Sequence, residues 1–346
     1  MIEYILLLGI IVVLILLFIV YLFYPQQLMP VGEEIDIKTP ESVKYHDDCL
    51  HPCVRYISEG FAGANWWMVQ SPYYGMDNKL ENPILYFSKD IDYPVNWEYT
   101  KVVQDTPTKG FNTDPCLFYE DNKLWVFWRE CNTPRCDREC ASMLTIGVYT
   151  QDGYVFSEPI TFLKQIESDE DKEQCPILIK HGDKYLFYAV HYQYEPQRQL
   201  KGLVIWEGSS LVNPDFKIKN QLRAPTVYTC DKFKQLWFLN KLWFIPKPLK
   251  HNIWHFDLFE HEDKLYMVSV AEWGDNVMLA VSKDFINFKM SRIPLINNHF
   301  METKTKRRLY FYKPSLIMIQ NKIYLFYTNN FEAKNRLFLT RNDFNG

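Results

Sequence analysis

A phrase that recurs along a chain restricts its fold more tightly than composition can. Residues 114–128 read DPCLFYEDNKLWVFW, and 175–189, 255–269 and 313–327 read CPILIKHGDKYLFYA, HFDLFEHEDKLYMVS and KPSLIMIQNKIYLFY. Each copy opens on a variable residue, runs on as an apolar strand, turns on polar residues and returns as an aromatic strand. That is the pattern of a β-hairpin. A longer version, HPCVRYISEGFAGANWWMVQSPY at 51–73, opens the series. Behind the hairpins follow ENPILYFSKD, MLTIGVYTQDGYVFSEP, GLVIWEGSSLVNP, VMLAVSKDFINF and RLFLTRNDF. These have the alternation of half-exposed strands ending in turn residues.

Four short strands followed by the phrase again is the signature of propeller blades. Pro52, Pro115, Pro176, Phe256 and Pro314 hold the matching place, at steps of 63, 61, 80 and 58 residues. The fold class expected is therefore all-β, a five-bladed β-propeller over 46–346 with inner hairpins starting near 51, 114, 175, 255 and 313. The long step contains 218–253, read as an edge-strand extension or a rim loop. The fifth blade runs out at the chain's last residues, so a strand near 35–45, within a linker at 26–45, is expected to supply its missing edge. The aromatic content of 16%, with 47% hydrophobic residues overall, is enough to fill such a core.

A single transmembrane helix is expected ahead of the propeller, in an anchor at 1–25. Residues 5–24, ILLLGIIVVLILLFIVYLFY, are uncharged and long enough to span a lipid bilayer as helix, with Tyr21 and Tyr24 at the interface and Pro25 ending the run. No basic n-region or small-residue cleavage pattern marks a signal peptide. Glu33, Glu34 and Asp36 beyond it suit an extracytoplasmic propeller, single-pass in the membrane. The formal net charge of -4, with no basic stripe, excludes a nucleic-acid partner. Eight cysteines permit disulfides at Cys49/Cys53 or within 131–140. Zinc at CNTPRCDREC is a sharper idea, but the spacing is not that of paired C-x2-C ligands.

The variable column carries the chemistry. His51, Asp114, Cys175, His255 and Lys313 precede the matching position, and Cys53, Cys116, Ile177, Asp257 and Ser315 follow two residues on, on the same side of each strand. Inner strands of a propeller face a common axis, so their starts converge at one mouth. Returning strands bring more candidates there: Tyr73, Tyr74, Trp128, Arg129, Glu130, His191, Tyr192, Glu272, Trp273, Asn329 and Asn330. Glu81, Trp254, His255, Asp257 and Lys313 are expected to serve the same pocket, where charge suits sugar hydroxyls and aromatic faces suit sugar C–H surfaces. The bland alternative is that the aromatics fill the grooves between blades. No cofactor is expected, except that His51, Asp114 and His255 in one ring could hold a metal ion; Lys313 argues against strong binding there.

The blade phrase resembles that of the five-bladed propeller superfamily of arabinanases, levansucrases and invertases, family 43 glycoside hydrolases above all. The resemblance covers 46–346 and implies acid/base hydrolysis of a glycosidic bond in an extracellular or cell-surface glycan. It implies a general base from an Asp in the first blade, a tuning Asp in the second and an acid Glu by the third. Asp114 in TDPCLFY matches the second. Glu173 in KEQCPIL is similar to the third, one residue further from the proline. The first is replaced by His51, leaving His51, Asp47 or Asp48 to act as base. Independently of the family, inverting hydrolysis needs two carboxyl groups roughly 6.5–9.5 Å apart. Different inner strands can supply that spacing, and Asp114 with Glu173 meets the test, with Asp257 a third carboxylate. The alternatives are a non-catalytic carbohydrate-binding or surface-polysaccharide-assembly propeller, and a protein-interaction platform. Asp114 could merely cap a turn, and Glu173 could be a solvated member of the run ESDEDKEQ. A monomer acting on an oligosaccharide is expected.

Overall fold

The computed structural model describes residues 2–23, 27–35, 37–43, 48–132, 143–165, 171–193, 199–223, 253–271, 276–291, 293–297, 311–331 and 334–343. Five antiparallel sheets stand around an axis. Blade 1 is Leu50–Phe61, Ala64–Ser71, Ile84–Ser88 and Trp97–Val102; blade 2 is Phe111–Glu120, Lys123–Cys131, Met143–Thr150 and Ile160–Gln165. Blade 3 is Asp171–His181, Lys184–Gln193, Gln199–Gly208 and Lys217–Arg223. In blade 4, Ile253–His261, Lys264–Ala271 and Asn276–Ser282 are followed by two short outer strands, Lys289–Met290 and Ile296–Asn297. Blade 5 is Phe311–Ile319, Lys322–Phe331 and Lys334–Asp343. The first strand of each blade touches the first strand of the next, blade 5 meeting blade 1, so the ring is closed.

The hairpin tips follow from their residues. Ala62–Gly63, Asp121–Asn122 and Glu262–Asp263 all take positive φ, the geometry of a two-residue turn matching the twist of its strands. Aromatic side chains fill the clefts between blades. Phe127, Phe162, Phe187 and Phe216 interlock at ring-centroid distances of 4.9–6.0 Å between blades 2 and 3. Trp66 and Trp97 pack on Tyr324 and Phe326 between blades 1 and 5. Each such ring removed from water contributes about 1.5–3 kcal/mol. Gly147 admits the first cluster, since a Cβ there would sit 2.5 Å from Phe127.

The edge strand of blade 5 is Glu33–Glu34, opposite Leu339 and Phe338, inside the 26–45 linker and just ahead of 35–45. Gly32 allows the approach, because a Cβ would lie 2.7 Å from the Leu339 carbonyl, and its N–H donates to the Tyr327 hydroxyl. Ile37–Lys38 runs on into blade 1, parallel to Trp97–Glu98. Residues 27–35 and 37–38 thus lie as a belt over blades 4, 5 and 1, starting with bonds from Leu28 and Met29 to Pro294 and Leu295. Ahead of it lies an α-helix, Ile2–Phe23, with exposed apolar side chains from Leu6 to Leu16. Among the described residues no helix has an apolar stretch long enough to cross a membrane. Of the 218–253 stretch, 218–223 belong to the fourth strand of blade 3 and 224–252 lie outside the described residues. Cys49 and Cys53 are free, buried thiols, so the disulfide that the sequence permits between them is not formed. Cys136 and Cys140 lie outside the described residues.

Candidate active site

Every inner strand breaks register at the head of the phrase, between Leu50/Cys53, Thr113/Cys116, Gln174/Ile177, Ile253/His255 and Phe311/Pro314. Such a bulge bends the strand and redirects a side chain. At three of these places the residue itself has positive φ: His51 at 52°, Asp114 at 53° and Cys175 at 55°. Left-handed backbone is costly for non-glycine residues and persists where the surroundings enforce it. The proline that follows has no N–H to lose, so the gap in the ladder leaves no orphaned donor.

The bulges gather one cluster at the axial mouth. His51 Nδ1 lies 3.3 Å from Ser71 Oγ and 3.4 Å from Glu81 Oε2, while its Nε2 lies 3.5 Å from Asp114 Oδ1. Arg129 Nη2 stands 2.8 Å from Asp114 Oδ2, which also accepts the Cys175 backbone N–H at 3.3 Å. Cys175 Sγ is 3.4 Å from Asp114 Oδ1 and 2.8 Å from His255 Nδ1. Lys313 Nζ donates to the Pro115 carbonyl at 2.8 Å. The Thr113 hydroxyl donates to Glu81. Above the imidazoles lies Tyr312, with ring centroids 5.5 Å from His51 and 5.1 Å from His255; Trp254 is 5.7 Å from His255.

Burial sets the charges. It pushes the Asp114 carboxyl up, but Arg129, both histidines and Lys313 outweigh it and hold the group well below the usual carboxylate range. Burial lowers His51 to about 3 and His255 well below its ordinary value, so both imidazoles are neutral near pH 7. Burial raises Glu81 well above the ordinary carboxylate value, which favours its protonated form. Burial, then the Asp114 charge, raises the Cys175 thiol too. The Cys175 thiol has two oxygen acceptors in reach, Asp114 Oδ1 and the Trp254 carbonyl at 3.5 Å; with its S–H on either one, the sulfur accepts from His255 Nδ1–H. The lone pair of His255 then sits on Nε2. Among the described residues the Nε2 atoms of His51 and His255 are buried without hydrogen-bond partners. One ligand atom from each of His51, Asp114 and His255 lies within 4.8 Å of the others. Two neutral imidazoles and a carboxylate are a donor set for a divalent first-row cation, so these residues fit a metal, held against the nearby positive charges of Arg129 and Lys313.

The structure thus brings together His51, Asp114, Glu81, Arg129, His255 and Lys313, with Trp254 half-buried at the edge. It does not bring Asp257, whose carboxylate takes bonds from Arg55, Ser315 and the Leu258 N–H deeper in the axis. Asp48 is committed likewise: it accepts from the backbone N–H groups of Tyr73 and Asn335, tying blade 1 to blade 5, and is no base. Glu130 neighbours Arg129 on its strand and so points to the other face. The Glu173 backbone pairs with that of His191, which is buried in blade 3; the Glu173 side chain is outside the described residues, as are Asp47, Glu272 and Trp273. Tyr312, Ser71 and Thr113 escaped the sequence reading. The signal for Tyr312 was its place before Lys313, matching Trp254 before His255.

No family model matches the chain, and no curated protein matches it. Solved structures do, at identities that establish the shared five-bladed fold alone. An N-acetylgalactosamine deacetylase from F. plautii, solved with blood group B trisaccharide, is 15% identical over 91% of this chain and 95% of its own, with a TM-score of 0.67. A xylan β-1,4-xylosidase from Bacillus halodurans is 12% identical over 86% of this chain and 53% of its own, TM-score 0.57. A family 117 glycoside hydrolase from Zobellia galactanivorans is 11% identical over 90% and 88%, TM-score 0.56. The chain therefore has the propeller shared by family 43 glycoside hydrolases and related enzymes.

Proposed function

We propose that the protein is a carbohydrate-active hydrolase whose axial mouth cleaves the amide of an N-acetylated sugar. The observation that carries this reading is the convergence of His51, Asp114 and His255 from three blades, with both imidazoles neutral and, among the described residues, no hydrogen bond made by either Nε2 atom. The likeness to a deacetylase over nearly the whole of both chains supports the substrate class. These three residues would hold a divalent cation, which when bound polarises a carbonyl and makes water a nucleophile near neutral pH. The remaining roles belong to the chain. Arg129 keeps Asp114 ionised, and Cys175 holds the His255 tautomer. Glu81, buried and protonated, is the acid for the departing amine. Tyr312 and Trp254 offer ring faces to the sugar.

A second reading, hydrolysis of a glycosidic bond, is favoured by a neutral Glu81 beside an ionised Asp114, two carboxyl groups driven apart by their environments. One experiment separates the two. Full-length protein, stripped with chelator and reloaded with Mn²⁺ or Zn²⁺, is incubated with N-acetylated oligosaccharides, and free acetate and new reducing ends are both measured. Acetate release that needs metal supports the first reading, and reducing ends without acetate support the second. Saturable sugar binding without either product leaves a carbohydrate-binding propeller.

The helix is proposed to anchor the protein, as a monomer, with the propeller on the extracytoplasmic side. Support comes from the uncharged run at 5–24 and the exposed apolar side chains of Leu6–Leu16. Release of the chain from membranes by alkaline carbonate would refute anchoring. Protection of the propeller from protease added to intact cells would refute the orientation.

A further inference from the structure

The axial channel has a second end. Four residues along each inner strand from the cluster at the mouth stand Arg55, Phe118, Ile179, Phe259 and Ile317, about 13 Å down the axis at strand rise. All five line a cavity of about 400 Å³ that opens at the opposite face. Between the two ends the axis is blocked. Arg55 Nη1 and Nη2 each donate to Asp257 at 2.9 Å, Ser315 donates to the same carboxylate, and its oxygen accepts the Val54 N–H. A molecule in this cavity therefore cannot reach Asp114, and the two ends are separate sites.

We infer that this cavity binds a small organic cation, an ammonium group carried on an apolar body. Its volume is that of a small-molecule site. Its floor is apolar, with Leu178, Leu258 and Ile317 buried, and its walls carry the half-buried rings of Tyr56, Phe118, Tyr119 and Phe259. The charges decide the sign of the ligand. Arg55 is neutralised by Asp257, and Lys180 at the rim is neutralised by Glu120. Among the described residues no ion pair neutralises Glu59 or Glu260, which are exposed at the same rim. Aromatic faces with two unneutralised carboxylates attract a cation through ring quadrupoles and Coulomb forces together. An anion would meet the same carboxylates, with both cations of the cavity already engaged.

The test is titration of the full-length protein with benzyltrimethylammonium by calorimetry, beside benzyl alcohol and benzoate as neutral and anionic probes of similar size. The expected result is saturable binding of the ammonium with Kd of about 1 mM or tighter, and both other probes weaker by about tenfold or more. The Glu59→Gln/Glu260→Gln double variant should weaken ammonium binding by about tenfold, and so should Phe259→Leu, a milder change that keeps an apolar wall. No saturation, benzoate binding as well as the ammonium, or unchanged affinity in both variants would overturn the inference.

Discussion

Replacing Arg129 by Met isolates what the axial cluster costs and what holds it. Arg129 Nη2 is 2.8 Å from Asp114 Oδ2, and the two side chains are 7% and 2% exposed, so solvent screens the pair little. Met keeps the volume and removes the charge, leaving a buried carboxylate with the Cys175 N–H and thiol, the more distant Lys313 and two neutral imidazoles. Breaking a buried pair from one side costs about 3–5 kcal/mol. The sign with pH follows from Asp114, whose folded value is depressed. Its stabilisation is full above the unfolded value near 3.9 and is lost as pH falls through the folded value. In the variant the carboxyl rises instead, so the deficit should be greatest near pH 7 and shrink toward pH 4. Denaturant unfolding followed by tryptophan fluorescence at pH 7 and pH 4.5 measures both. Asp114→Asn added to Arg129→Met should recover a good part of the loss. A deficit below about 1 kcal/mol at pH 7, or no recovery in the double variant, would refute the charge argument.

Other consequences are open to direct measurement. His51 is held at about 3 and His255 well below its ordinary value, so the unfolded chain binds more protons as pH drops. Stability should therefore decline from near pH 6.5 downward, and a midpoint flat between pH 7 and 4.5 would contradict the neutral-imidazole assignment. Gly110→Ala should cost about 2–4 kcal/mol, because φ is 85° and the new Cβ would lie 1.7 Å from the Cys131 carbonyl oxygen; thermal unfolding reads it. Mn²⁺ or Zn²⁺ should raise the melting temperature of the wild type, by the equivalent of about 2.7 kcal/mol at a hundredfold excess over Kd, and should leave His51→Gln/His255→Gln unmoved. Removing residues 1–39 should lower the melting temperature and promote association, since it strips Glu33–Glu34 from Leu339 and Phe338 and bares the edge of blade 5.

Repetition made the ring and its variable column legible before any coordinates. A hairpin is local, and its turn residues, strand alternation and aromatic return are all contiguous in the chain. Five copies of a unit that cannot bury its faces alone imply a closed ring. The same logic identified His51, Asp114, His255 and Lys313 as neighbours. It failed where depth or direction mattered. Alternation puts Asp257 on the same side of its strand as His255, but not at the same level of the axis, and Arg55 claims it there. Asp48 reads as a free loop acid, but two backbone N–H groups from different blades hold it. Tyr312 and Thr113 act through residues far away in sequence, so no local pattern flagged them. The bulges that give His51 and Asp114 positive φ, the burial that neutralises the imidazoles and protonates Glu81, and the salt bridge from Arg129 all arise from groups on different blades. Periodicity is a property of one strand, and it determined where the blades begin. Charge state and aim are set by everything packed around a side chain, and only the assembled ring decided them.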